Sequence, residues 1–181
     1  MNRITLPLKV IFLVLVIAGP VSAQTGKRLE IGDQCPGFFV KQIDGGNFFL
    51  NEYIGEKAVY KTKGILLNFC SSTCIPCKKE IPQLEKIQSK YKDKGLKIIL
   101  VNVGENEKLA RKLIKEVKTK LPVLLDRYLV VSKHLGVSVT PYTILLDNSG
   151  IVRYTNAGFA EDKTDKFIQL IEEKVTDVLG I

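Results

Sequence analysis

Cys74 and Cys77, separated by Ile75 and Pro76, are the residues of this 181-residue chain best equipped to do chemistry. A thiolate attacks a disulfide, and two cysteines spaced this way can close on each other. The pair can therefore hand over two electrons as a dithiol and become a disulfide in return. The spacing alone also suits a zinc site, so the neighbouring residues have to decide. Upstream, Gly64-Ile65-Leu66-Leu67-Asn68-Phe69 is a short, nearly continuous apolar run, the pattern of a strand covered on both faces. Downstream, Cys77, Ile81, Leu84, Ile87 and Tyr91 recur at three and four residues, which makes one helical stripe. A buried strand thus runs into a helix whose first turn holds Cys74 and whose core face carries Cys77.

That placement makes the two thiols unequal. The unpaired N–H groups and the dipole at a helix start stabilise an anion, and a thiolate is such an anion. Free cysteine titrates near pH ~8.5, and a Cys-x-x-Cys pair at a helix N-terminus falls to roughly 3.5–7.5, so Cys74 is expected to be the nucleophile. Cys77, one turn in and facing the core, is expected to be the protected resolving thiol. Pro76 falls in the first turn, where a missing N–H is tolerated. Pro82 lies deeper, removes a bond to the Lys78 carbonyl, and is expected to kink the helix.

The elements that must position this pair follow in order along one domain's worth of chain, with no linker or repeat dividing it. Residues 1–23 read as an export signal: Arg3 and Lys9 supply positive charge, Val10 to Ala18 a short apolar segment, and Val21-Ser22-Ala23 a cleavage pattern. The alternative is retention as a membrane anchor, with Ile4 to Leu8 extending the apolar stretch. Export places residues 24–181 where disulfides persist. The formal charge of +8 becomes +6 without Arg3 and Lys9. The surplus lies on solvated helix faces, at Lys108, Arg111, Lys112, Lys115 and Lys118, and nothing resembles a nucleic-acid reader.

After a leading segment with turns at Gly32-Asp33 and Pro36-Gly37, Phe38 to Lys41 and Phe48 to Leu50 flank Asp44-Gly45-Gly46-Asn47 as a hairpin. Beyond the cysteine helix come a strand at Leu96 to Val103 and an amphipathic helix with Leu109, Leu113, Ile114 and Val117 inward. Alternation of strand and helix implies parallel pairing. Next stand a strand at Pro122 to Asp126, a short helix at Tyr128 to Leu135 stopped by Gly136, and a strand that starts directly at Pro141. The turn Asp147-Asn148-Ser149-Gly150 folds that strand back on Ile151 to Tyr154, and a helix over Asp162 to Leu179 closes the chain. The fold class is α/β: a central mixed sheet flanked by helices, extended by an N-terminal β-hairpin.

Cys-Ile-Pro-Cys-Lys-Lys-Glu-x-Pro at 74–82 after Phe69, Val-Asn-Val-Gly at 101–104, and Thr140-Pro141 leading into a strand and an Asp-x-x-Gly turn together resemble the thioredoxin superfamily. The likeness is to its TlpA/ResA-type exported branch and spans essentially residues 24–181. It implies a thioredoxin-like domain, a cis Thr140–Pro141 bond beside the cysteines, and a substrate groove shaped by Thr140, Pro141, Ile75 and Pro76. It also implies a thiol-disulfide oxidoreductase that reduces selected exported proteins such as apocytochrome c, working as a monomer without cofactor or metal. Its partners would be a disulfide-containing exported substrate and a membrane-embedded or exported thiol electron donor, in the periplasm or at the outer face of the cytoplasmic membrane. Glu80, three residues after Cys77, resembles the acidic residue credited with proton transfer in ResA-type proteins; otherwise it is an ordinary exposed glutamate beside Lys78 and Lys79.

The chain departs from many relatives, which carry tryptophans at the places of Cys70 and Thr73, whereas no tryptophan occurs here. The wall beside Cys74 is therefore smaller. Cys35 stands where relatives often have alanine. The expected pairing is Cys74 with Cys77, leaving Cys35 and Cys70 free or joined to each other. Cys70-x3-Cys74 is similar to the spacing in SCO-type copper chaperones, so a second reading is a copper site of Cys70, Cys74, Cys77 and His134. His134, the single histidine, otherwise reads as a helix-end residue. A thiol peroxidase-like protein is a third reading and needs its own Pro/Thr/Arg surround.

Overall fold

A computed structural model describes residues 26–160 and 164–181. The leader at 1–23, and the choice between cleavage and anchoring, lie outside the described residues, as does the expected helix start at Asp162. No helix among the described residues is long and apolar enough to cross a membrane.

The elements are β1 (Phe39–Lys41), β2 (Asn47–Phe49), β3 (Gly64–Cys70), α1 (Ile75–Tyr91), β4 (Leu96–Val103), α2 (Glu107–Val117), β5 (Val123–Asp126), α3 (Val130–His134), β6 (Tyr142–Asp147), β7 (Val152–Ala157) and α4 (Thr164–Leu179). β5, β4, β3, β6 and β7 form one sheet in that order. β3 pairs parallel with β4 and antiparallel with β6, so the expected mixed sheet is present with the cysteine strand at its centre. β1 and β2 form the separate N-terminal hairpin, tied to the β5 edge where the Ile43 N–H donates to the Val123 carbonyl.

Every residue of β3 is buried, as a strand with cover on both faces must be. Its side chains alternate. Leu66 and Cys70 face a core built with α1, α2 and α4, while Ile65, Leu67 and Phe69 face a second core built with α3 and the leading segment. Each fully buried leucine or isoleucine contributes about 1.5–3 kcal/mol, so the sheet cannot slip by one residue without exposing one of these sets.

Two expectations need correction. Leu109 is partly exposed and Ala110 opens the buried stripe of α2, whose start the Asn106 side chain caps at the Leu109 N–H. The short third helix covers only Val130–His134, since the Asp126 carboxylate accepts the Val131 and Ser132 N–H groups and fixes its start there. Pro82 lies inside α1, which runs on to Tyr91 with Ile81, Leu84 and Ile87 held in the core on both sides of it.

The leading segment docks on the end of α3 at Gly136, whose backbone is left-handed with φ 69°. A Cβ there would fall 2.3 Å from the Arg28 Cα. Gly136→Ala is therefore expected to lower the unfolding free energy by about 2–4 kcal/mol, backbone strain adding to the clash. Gly32 has φ 95° and nothing within 4 Å of its would-be Cβ, so Gly32→Ala should cost only about 1–2 kcal/mol. Urea denaturation of the two variants checks the difference.

Candidate active site

β3 ends at Cys70 and α1 begins at Ile75, so four residues make the turn. The Cys74 N–H donates to the Ser71 carbonyl at 3.2 Å and closes it. Cys74 is the N-cap of α1, with Pro76 in the first turn, and its Sγ accepts the Cys77 N–H at 3.2 Å. One of the orphan donors of the helix start is thus spent on sulfur. The two sulfurs are joined in a disulfide. Cys74 is partly exposed and Cys77 is fully buried, so an incoming nucleophile or disulfide reaches only one of them.

The turn is held from below. Glu105, on the loop between β4 and α2, accepts the Ser72 N–H at 2.9 Å, the Ser72 hydroxyl at 2.5 Å and the Asn102 amide at 2.7 Å. Three donors on one buried carboxylate satisfy it and fix the loop that carries Cys74. None of these partners was singled out from the sequence. Asn68 and Asn102 do leave a signal, since each is a polar residue inside an otherwise apolar strand, where only a hydrogen-bonded role keeps it. Glu105 leaves none, because its contact crosses 33 residues of sequence between two loops.

Glu80 is buried, which overturns the reading of it as an ordinary exposed glutamate. It shares the inward face of α1 with Cys77, one turn earlier, and lies over β3 and β6. The Thr143 hydroxyl donates to its Oε1 at 3.3 Å and is itself hydrogen-bonded by Asn68 at 3.1 Å, while its Oε2 has no protein partner. Burial pushes the carboxyl up to about 7, against the opposing pull of Asn68 and Thr143. Its direct contact is Thr143, not Cys77.

The remaining candidates separate. The Thr140–Pro141 bond is cis, and Thr140 lines the same cavity as Ser71 at the start of the cysteine turn. Ile75, inside the Cys-x-x-Cys pair, is exposed. Cys35 and Cys70 are both free and buried on opposite faces of the sheet, so the expected option of a bond between them does not occur. Burial pushes the Cys35 thiol up to about 12; burial first, and then Glu80 and Glu105, raise that of Cys70. Neither is poised to react. The copper reading fails on geometry: His134 is exposed at the end of α3, Cys70 is sealed under α1, and no three His, Cys, Asp or Glu side chains among the described residues form a metal-holding group.

Comparisons agree with this arrangement. The Redoxin family model matches residues 49–170. The thiol-disulfide oxidoreductase ResA of Halalkalibacterium halodurans is 32% identical over 142 residues, covering 78% of this chain and 77% of the relative. ResA of Bacillus thuringiensis subsp. konkukian is 32% identical over 126 residues, covering 70% and 69%. Among solved structures, a candidate thiol:disulfide interchange protein DsbE from Chlorobium tepidum superposes with a TM-score of 0.73 at 26% identity, covering 83% of this chain and 99% of that one. StoA from Bacillus subtilis gives 0.57 at 25% identity, covering 74% and 96%. A Cys-x-x-Cys disulfide at a helix start, in a thioredoxin-like sheet and with these relatives, leaves one conclusion: the chain belongs to the Redoxin family, as a TlpA/ResA-type thiol-disulfide oxidoreductase of the thioredoxin superfamily.

Proposed function

We propose that the protein works as a reductant of disulfides in selected exported proteins, with Cys74 as nucleophile, Cys77 as resolving thiol and Glu80 as the group that moves the proton of Cys77. The observation that carries this reading is the unequal exposure of the disulfide, its outer sulfur capping α1 and its inner sulfur buried, with Glu80 buried one turn further along the same helix. In the dithiol state the Cys74 thiolate attacks a substrate disulfide, forming a mixed disulfide and releasing one substrate thiol. Cys77 loses its proton towards Glu80 and attacks Cys74 Sγ, which releases the second substrate thiol and leaves the Cys74–Cys77 disulfide. Two electrons pass to the substrate, and an external thiol donor, membrane-embedded or exported, restores the dithiol.

Residues 1–23 act in this reading as the export signal or as a retained anchor, and residues 24–181 as the working domain, in the periplasm or on the outer face of the cytoplasmic membrane. An apocytochrome awaiting haem attachment is the substrate that the family resemblance favours. Thr140 and Pro141, with Ile75 and Pro76, supply the substrate groove. The protein acts as a monomer with neither cofactor nor nucleic acid.

Cys74→Ser is expected to abolish disulfide reduction with the fold intact, whereas Cys77→Ser is expected to accumulate a mixed disulfide through Cys74. Non-reducing electrophoresis and mass spectrometry of the trapped partner read both outcomes, and full activity of Cys74→Ser would remove the nucleophile assignment.

Glu80 gives a pH dependence of known sign. Its folded pKa, about 7, lies above the ordinary 4.5, so the stability it confers is complete below the ordinary value and disappears as pH rises through 7. Relative to Glu80→Gln, the native protein should lose about 3 kcal/mol of unfolding free energy between those two pH values. In reductase assays the resolution step should accelerate with pH through about 7 in the native protein. The variant should be about 100-fold slower and lack that inflection. A variant profile that keeps the inflection would show that another group moves the proton.

A further inference from the structure

Asn68 interrupts the apolar run of β3, and Thr143 stands opposite it in the register with β6. Both are 0% exposed. Leu66 and Cys70, two residues to either side of Asn68, and Leu145, two residues after Thr143, line the core under α1, so the pair faces that helix and Glu80. Valine would fill the place of Thr143 in a buried strand at least as well, so packing does not call for the hydroxyl. The hydrogen bonds run one way. Asn68 Nδ2 donates to the Thr143 hydroxyl at 3.1 Å, and the hydroxyl donates to Glu80 Oε1 at 3.3 Å. An amide N–H can only donate, so the hydroxyl must accept it and has its one proton left for Glu80. Among the described residues no other hydrogen-bond donor reaches this carboxyl, since its Oε2 has no protein partner.

We propose that Asn68 and Thr143 are positioning residues for disulfide exchange, a two-step donor chain that ends on Glu80 and holds its carboxyl ready to take the Cys77 proton. This rests on the reading of Glu80 as the group that moves that proton. In the resolving step the proton leaves Cys77 Sγ for the Glu80 carboxylate, and the Cys77 sulfur bonds to Cys74 Sγ as the second substrate sulfur departs. A donor aimed at a carboxylate favours its charged form, so the pair opposes burial and keeps a usable fraction of Glu80 ionised near neutral pH. The other titratable groups around Glu80 are Cys77 on α1, Cys70 at the end of β3 and Tyr154 on β7, with Glu105, on the loop after β4, acting on Cys70 as well. Burial first, and then Glu80, raise Cys70 and Tyr154 above their ordinary ranges, so neither changes charge near pH 7.

The test compares Thr143→Val, Thr143→Ser and Asn68→Leu with the native protein and with Glu80→Gln. Carbon NMR of labelled glutamate follows Glu80 in the oxidised protein, where the joined cysteines do not titrate, and single-turnover resolution of a Cys74 mixed disulfide follows the reaction. Thr143→Val should raise the Glu80 midpoint from about 7 by about one pH unit. Thr143→Ser keeps the donor and should restore the native midpoint, and Asn68→Leu should move it in the same direction as Thr143→Val. Resolution in Thr143→Val should be about 10-fold slower well below the inflection and reach at least the native rate on the plateau above it. A packing defect would instead slow the step at every pH. A native midpoint in either Thr143→Val or Asn68→Leu, or a loss of rate uniform across pH, would overturn the donor chain while leaving Glu80 as the proton carrier. An inflection that persists in Glu80→Gln would defeat the Glu80 reading and the donor chain with it.

Discussion

The amide of Cys77 donating to the sulfur of Cys74 is the interaction on which the rest of this structure converges. It exists because a helix start has N–H groups without helical partners, and because the chain delivers a sulfur to the cap position. Delivery depends on β3. A strand buried on both faces has one tolerable register, so Cys70 always ends in the same place and the turn that follows always lifts Cys74 to the cap. Glu105 then closes the other side by gripping Ser72, which ties the reactive turn to the neighbouring strand connection.

Beneath that cap the fold accepts an expensive group. A carboxyl on the core face of α1, with one oxygen unpartnered, works against burial of an anion. The fold meets this by letting the proton stay: burial raises the Glu80 carboxyl to about 7. Burial first, and then the charges of Glu80 and Glu105, raise the sealed Cys70 thiol; burial first, and then Glu80, raise Tyr154. Two carboxylates with different surroundings therefore divide the work. Glu105 has three donors and serves as an anchor, while Glu80 is underbonded and free to titrate.

The sheet, the hairpin and the cysteine pair were legible because each is written in local periodicity: unbroken apolar runs for β3 and β4, a Gly-Gly turn between phenylalanines, a stripe through Cys77, Ile81 and Leu84. Glu80 was half legible. It lies on that stripe, but Lys78 and Lys79 beside it look like an ordinary solvated face, and only packing against Thr143 shows otherwise. In α2 the small Ala110 is buried and the larger Leu109 is not, an outcome that residue hydrophobicity alone does not signal. Cys35 and Cys70 could have bonded as far as spacing says; the sheet stands between them. The Ser72–Glu105 clamp was illegible, since it joins two loops brought together only by the completed fold.

The central claim is that the outer thiol is the more acidic of the pair because it alone sits at the helix mouth. NMR titration of the reduced protein, with the cysteine Cβ carbons labelled and assigned through the Cys74→Ser and Cys77→Ser variants, measures each thiol separately. The account predicts that Cys74 ionises at lower pH than Cys77. Equal acidities, or Cys77 ionising first, would contradict it.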